Sequence, residues 1–537
     1  MSGIVDVAVV GAGHNGLIAA AYLAAAGRSV CVIERDTVLG GAVSTVERFP
    51  GYAVDRGSSA HLMIRHTPIL AELDLHRYGL RYAECDPWAF APAENDDDEP
   101  IVFHHDLAAT CASIERVCGK ADADAYASFV ADWQPRARAT MAAFGSEPTP
   151  TRFAAAFAGS GWRTRSARRS LVGRRIGAFS SMSQEMLNSG DALLDRWFGS
   201  ERLKSALSWF GAQSGPPTDL PGTAPMVGFA ALMHDIPPGR AIGGSGALTT
   251  ALVARLTADG AQIATGAPVA ALRRTGSGWE VVGADGHSRR CRHVIAACHI
   301  STTLDLLAAG GYPTADLDRW RRAIVVGNGI GMAVRLGTTG LPRYRNLPAD
   351  LPAHGVHSGL GLLTADRAHL RRAHAASLVG ELPQRPVVLP MGFSALDPTI
   401  APDDRHLVNV WAQWHPYRLS GGRSWATSAQ RAADAVVAEI DRFAPGFSSS
   451  IEHCHIQTPA DLEEELGLRA GNIMHVEMTI DQMFGWRPHP DFAGRTVPGA
   501  PGLVLAGAST HPGGGVTGTS GRLAARRILR SPKRSMS

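Results

Sequence analysis

Val5-Asp6-Val7-Ala8-Val9-Val10-Gly11-Ala12-Gly13-His14-Asn15-Gly16 is a short apolar run closed by a G-x-G-x-x-G turn. An Ala-rich stretch, Leu17 to Ala26, follows without proline and ends at Gly27, the position where helices commonly stop on glycine. Ser29 to Ile33 is a second continuous apolar run, ending at Glu34 and Arg35. Strand, turn, helix, strand and acid in that order predict a βαβ unit with a parallel sheet. Each part has a physical task. Gly11 permits the tight turn, Gly13 lets a pyrophosphate approach the backbone, and Gly16 lets the helix pack against the strands. The free N–H groups and the positive dipole end of the helix face the phosphates. Glu34 is placed to accept hydrogen bonds from a ribose 2′-hydroxyl.

A second unit of this kind lies near the other end. Gly502 to Gly507 is a predicted buried strand, Ala508 to Gly518 is dense in small residues around Gly513-Gly514-Gly515, and Ser520 to Leu529 is a predicted helix. One glycine turn holds NAD or FAD; two at opposite ends favour FAD, with the second serving the ribityl chain or the ring system. Gly40-Gly41, followed by Ala42 and Val43, fits a backbone that passes close to the flavin.

Composition narrows the partners. The 537 residues are too many for one simple core, so two domains are expected. With 52 basic against 49 acidic residues, the net charge of +3 argues against nucleic acid as a partner. The seven cysteines contain no C-x-x-C pair, which argues against a dithiol redox centre and for reduced thiols in a cytoplasmic setting. No apolar run reaches the roughly 20 residues of a spanning helix. The acidic stretch Glu94 to Glu99 lacks the spacing of a calcium loop, and no metal site is expected. Residues 162–176 interleave six arginines with Trp162, Leu171, Val172 and Ile176; such a run is usually a solvated helix face or loop, and the apolar interleave gives the sharper alternative of peripheral contact with an anionic membrane surface.

Along the middle of the chain, 120–210 carries a helical pattern. Pro237-Pro238-Gly239-Arg240 and Gly243-Gly244-Ser245-Gly246 precede a helix predicted over Ala247 to Asp259. Strands are expected at Ile263 to Arg274, Trp279 to Gly283 and Arg292 to Ala297, the last joining the first sheet. Leu351 to Gly361 and Leu382 to Pro390 are expected as loops, Val387 to Met391 and Leu407 to Trp411 as strands, and Ala426 to Phe443 as an amphipathic helix. The resulting α/β organisation is a discontinuous Rossmann-like FAD-binding domain (1–75, 226–310 and 466–530) with a second, mixed α+β substrate domain (76–225 and 311–465) and a disordered tail at 531–537.

Val9 to Leu17, Glu34 with Gly40-Gly41, and Leu505 to Val516 resemble the carotenoid (phytoene) desaturase-like family of FAD-dependent oxidoreductases. The His14-Asn15 pair, Gly471-Asn472, Asp481 to Phe484 and Arg487-Pro488 resemble the branch that holds the desaturase-like carotenoid ketolases. The resemblance implies an amine-oxidase-like architecture and non-covalent FAD. It matches Gly11, Gly13 and Gly16 to the pyrophosphate turn and Glu34 to the ribose. Val269 matches the backbone position at adenine, and Gly507, His511 and Gly513 to Val516 match the flavin-contacting segment. Ala42 departs from relatives that carry a basic residue there. The function implied is hydride transfer to flavin from an apolar, carotenoid-like substrate. Flavin-dependent amine oxidation and a flavin-stabilised interaction protein are the alternatives. By position, His61 and His475 are the candidate bases, with His511 more suited to orient the Gly513 turn and Asp55 to cap a turn.

Overall fold

The computed structural model describes residues 4–158, 183–276, 278–352 and 354–530. Two sheets organise it. The first is seven-stranded. Its strands are β1 (Val5–Val10), β2 (Val30–Ile33), β3 (Gln262–Ala264), β4 (Val269–Thr275), β5 (Gly278–Gly283), β6 (Ser288–Ala296) and β11 (Leu503–Leu505). The parallel part runs β3-β2-β1-β6-β11, and β4 and β5 extend it as an antiparallel meander on the first half of β6. Chain segments from both ends and the middle therefore build one sheet. The β1 register, Val7 opposite Val30 and His293, aligns the carboxyl ends of the parallel strands where the glycine turns emerge.

Helices α1 (His14–Ala25), α3 (Ala247–Ala258) and α6 (Thr519–Arg530) cover this sheet. Their apolar side chains join Val7, Val9, Val32 and Ile295 in one buried cluster. The even hydrophobicity of β1 and β2 follows from burial on both faces, which a parallel sheet under helices requires.

The second sheet is antiparallel, in the order β8 (Val387–Met391), β9 (His406–Gln413), β7 (Gly331–Thr338) and β10 (Ile451–Gln457). Helix α4 (Trp425–Phe443) packs on one face, with Val436 and Ile440 against Met332, Val334 and Leu336. The long helix α2 (Lys120–Phe144) carries Phe129, Trp133 and Phe144 into a separate apolar core.

Several local expectations need correction. Of the two overlapping expectations for 382–391, the strand at Val387–Met391 is the one observed, every position of β8 being buried against β9, and the loop expected over Leu382 to Pro390 stops before it. Leu360–Gly361 pairs with Ala89–Phe90 instead of looping. Strands β7 and β10 carry no expectation from the sequence, although β7 is central. The stretch 162–176 and the tail 531–537 lie outside the described residues. No helix among the described residues is long and apolar enough to cross a membrane.

Candidate functional site

Where β1 ends, Gly11 takes φ +99° and its N–H donates to Ile33 O at 2.9 Å. Gly13 stands at the N-cap of α1. A methyl group on Gly16 would lie 2.1 Å from Gly11 O, so the helix can seat on the turn only with glycine there. A methyl on Gly13 would meet no protein atom within 4 Å, which leaves that side of the turn open. It opens onto a cavity of about 540 Å³ lined by Gly11, Gly13, His14, Asn15 and Glu34, with Gly40, Gly41 and Ala42 opposite. Gly40 N donates to Ala12 O at 2.9 Å, so the two glycine segments clasp each other along the cavity floor.

Glu34 is held before any ribose arrives. Its Oε2 accepts from Ala12 N at 2.6 Å and its Oε1 from Asp36 N at 3.0 Å. Each carboxylate oxygen keeps further lone-pair capacity toward the cavity. Arg35, Val269, Gly507 and Ala508 also line it. Ala12, Gly16 and Val43 are buried beneath it; Val43 O accepts from Thr249. His511 and Gly513 to Val516 do not line this cavity; they continue from Gly507 and Ala508 behind its wall.

Four histidines surround the turn, and burial pushes each imidazole down. His14 falls to about 4 and accepts at Nε2 from Asn15 Nδ2 at 3.0 Å. His61 is fully buried and falls to about 3. Both of its nitrogens are hydrogen-bonded, to Tyr82 OH at 2.7 Å and Ser245 Oγ at 2.9 Å, so neither ring nitrogen is left for a substrate proton. His475 does line the cavity, with Nδ1 3.1 Å from Ser509 Oγ. Its value also lies well below the ordinary one, through burial and then the neighbouring His299. His511 falls to about 3; its Nε2 donates to Ala143 O at 3.3 Å, tying the second glycine segment to the end of α2. These are neutral hydrogen-bonding groups near pH 7, not stores of positive charge.

Asp55 does more than cap a turn. It accepts from Ser245 N at 2.8 Å, but its other oxygen pairs with the fully buried Arg240. The N–H groups of Gly243 and Gly246 go to Asp397 at 2.8 Å and Thr45 at 2.8 Å, so the middle glycine turn is filled by the protein itself.

Sequence reasoning missed two parts of the cavity wall. His299 follows β6 at the carboxyl edge of the sheet, and that position alone is a signal for ligand contact. Glu463 to Arg469 come from α5 (Pro459–Leu466) and the turn after it, more than 400 residues from Arg35; no local motif marks them. His475, on this wall, is a non-glycine residue with positive φ (+71°).

The residues fit a dinucleotide: an open glycine turn at a helix N-terminus, an acid one strand away, and a long cavity between them. Comparison with known proteins agrees. The sequence profile of flavin containing amine oxidoreductases matches residues 16–317. The chain is 33% identical to the rat pyridine nucleotide-disulfide oxidoreductase domain-containing protein 2, over 98% of this chain and 94% of that one. It is 28% identical to a phytoene dehydrogenase of Streptomyces griseus, over 98% and 96%. An oxidoreductase from Methanosarcina mazei shares the fold, with a TM-score of 0.61 at 14% identity, over 98% of this chain and all of that one.

Proposed function

The chain belongs to the flavin-containing amine oxidoreductase family and is an FAD-dependent oxidoreductase, and from that premise we propose that it oxidises an apolar, polyene-like substrate by hydride transfer to FAD. The observation that carries this reading is the wall around the second glycine segment. Phe144 and Phe484 flank His511 at 6.0 and 5.9 Å between ring centroids, and Phe229 packs on Phe144 at 6.1 Å. Met478 and Met474 crowd Gly513 and Gly514. Phe144 and Phe229 are buried and Phe484, Met474 and Met478 half-buried; such apolar surroundings suit a neutral hydrocarbon, which gains roughly 25 cal/mol for each Å² of apolar area it buries. The similarity to a phytoene dehydrogenase along nearly the whole chain supports the same class of substrate.

In this reading Gly11, Ala12, Gly13, His14, Asn15 and Gly16 hold the pyrophosphate, with Gly40, Gly41, Ala42 and Val43 beside it. Glu34 and Arg35 serve the ribose end, and Val269 meets the adenine. Gly507, Ala508, His511 and Gly513 to Val516 back the flavin ring. FAD supplies the acceptor for the electron pair of a substrate C–H bond. The chain's own part is to place that bond, keep water out with Phe144, Phe484 and the methionines, and hold His475 neutral at the wall. No side chain here is assigned as base, since His61 is fully engaged and His475 binds protons weakly. Peripheral membrane contact through 162–176 belongs to the same proposal, as a route for a water-insoluble substrate.

Amine oxidation is the second reading, favoured by the family profile itself. The two are separated by anaerobic mixing of the FAD-loaded protein with an acyclic polyene in detergent or with a primary amine. Bleaching of the flavin's visible absorbance by the polyene alone is expected. Bleaching by the amine alone would reverse the assignment.

A further inference from the structure

Arg487 is 1% exposed and lies directly behind the second glycine segment. Its Nε and Nη2 donate to Ala508 O at 3.2 and 2.9 Å, and Ala508 itself lines the cavity. Nη1 donates to Glu477 O at 2.9 Å and Gln482 O at 3.2 Å; Nη2 also reaches Met474 O at 2.5 Å and Val476 O at 3.4 Å. A methyl on Gly513 would stand 3.3 Å from the guanidinium carbon, so the cation touches that turn as well. Among the described residues no carboxylate lies within 4 Å of its nitrogens. The nearest acid, Glu477, is itself pushed up to about 7 by burial, and His299, His475 and His511 are neutral. Burial brings the guanidinium down only to about 9, so it stays charged near pH 7.

A buried cation balanced only by carbonyl dipoles is costly in an isolated protein. That cost falls if the site later takes up negative charge. Hydride transfer supplies such a charge. The C–H electron pair moves to FAD with one proton, the substrate loses a second hydrogen to solvent as a proton, and the cavity is left one unit more negative. We infer that Arg487 is a positioning charge for the reaction, acting through the Ala508 to Gly513 segment to favour the reduced over the oxidised cofactor. The inference rests on the FAD reading above. It assigns the charge that tunes the cofactor to a residue that does not line the cavity.

The test uses the full-length, FAD-loaded protein and follows reduction against a reference dye under anaerobic conditions. Arg487→Gln is expected to lower the equilibrium constant for two-electron reduction about tenfold, equivalent to about 30 mV. Arg487→Lys, which keeps the charge and loses most of the carbonyl contacts, is expected to stay within about threefold of wild type. A folded, FAD-loaded Arg487→Gln protein that matches wild type would overturn the inference and leave the FAD reading intact. A wild-type protein that takes up no FAD overturns both. Should Arg487→Gln not fold, Glu477→Gln decides at pH 8. Removing that carboxylate charge is expected to raise the constant severalfold, and no change would overturn the inference.

Discussion

Gly13 and Gly16 are three residues apart, and the same added methyl separates their roles. At Gly16 it would collide with Gly11 O, so Gly16→Ala is expected to lower stability by ~1–3 kcal/mol, with or without cofactor. At Gly13 it would project into open space, so Gly13→Ala is expected to keep the cofactor-free melting temperature and lose FAD affinity at least tenfold. Thermal melts of FAD-free protein alongside FAD titration check the pair; equal loss of stability in both would mean that Gly13 is only a packing residue. The histidines make a pH prediction at the same scale. His14 and His299 lie near 4 and His61 and His511 near 3, against an ordinary value of 6.5. Between those limits the unfolded chain binds more protons than the folded one, so stability is full above about 6.5 and falls as pH drops toward 4. Glu477, raised from 4.5 to about 7, and Glu185, also raised by burial, work the other way, but His357 and His415, both near 4, join the four histidines against them. Urea midpoints are therefore expected to fall between pH 7 and pH 5, and a flat profile would mean that these imidazoles are not buried as described.

Helix α5 shows what an element can do that its sequence does not announce. Its start is legible, since Thr458 and Asp461 form a reciprocal capping box and Pro459 follows the cap. Its end does the work: Glu464 O and Glu465 O accept from Arg35 Nη2 at 3.1 and 3.3 Å. The Glu465 carboxylate lies 2.5 Å from Arg48 and 3.8 Å from Arg56. Helix α5 thus sets a cationic-anionic latch beside the cavity wall. These groups are a tenth to a quarter exposed, so each pair is worth on the order of 1 kcal/mol or less. Glu465→Gln is expected to speed FAD release severalfold, followed by recovery of free flavin fluorescence, with little change in the melting temperature of the FAD-free protein. Added salt should speed release from wild type more than from the variant; identical salt responses would remove the latch. What the sequence shows is the local half of this site. Gly11 to Gly16, Glu34 and Gly40-Gly41 announce themselves because strand, turn and acid must follow one another. Glu463 to Arg469 do not, because only the fold brings them there, whereas His299 is marked only by its place just after a strand of the same sheet. Strand β7 escaped notice for a related reason: Gly331–Thr338 is buried on both faces, so it has no alternation to detect.

At the scale of the molecule, the antiparallel sheet meets the hairpin and turn beside the glycine segments through buried charge instead of a purely apolar seam. Asp55, at the end of a hairpin beside the glycine turns, pairs with Arg240, and both side chains are fully buried. Asp397 approaches Arg240 at 3.9 Å from the far side, and Phe393 lies under its guanidinium at 5.4 Å. Arg335, from the middle of β7, donates to Asp55 O at 3.1 Å. Two acids and two arginines balance, so the set is neutral as a whole while each member depends on the others. Buried ion pairs of this kind add little net stability, but removing one partner leaves a charge without compensation and costs ~3–5 kcal/mol. Arg240→Met is therefore expected to lose that much, and to lose FAD with it, because Asp55 also holds Ser245 and Thr45 at the edge of the first glycine segments. Asp55→Asn combined with Arg240→Met should recover part of the loss, since the orphaned charge is gone. Chemical unfolding followed by both tryptophan and flavin signals measures this. Strict additivity of the two substitutions would mean that the charges act independently.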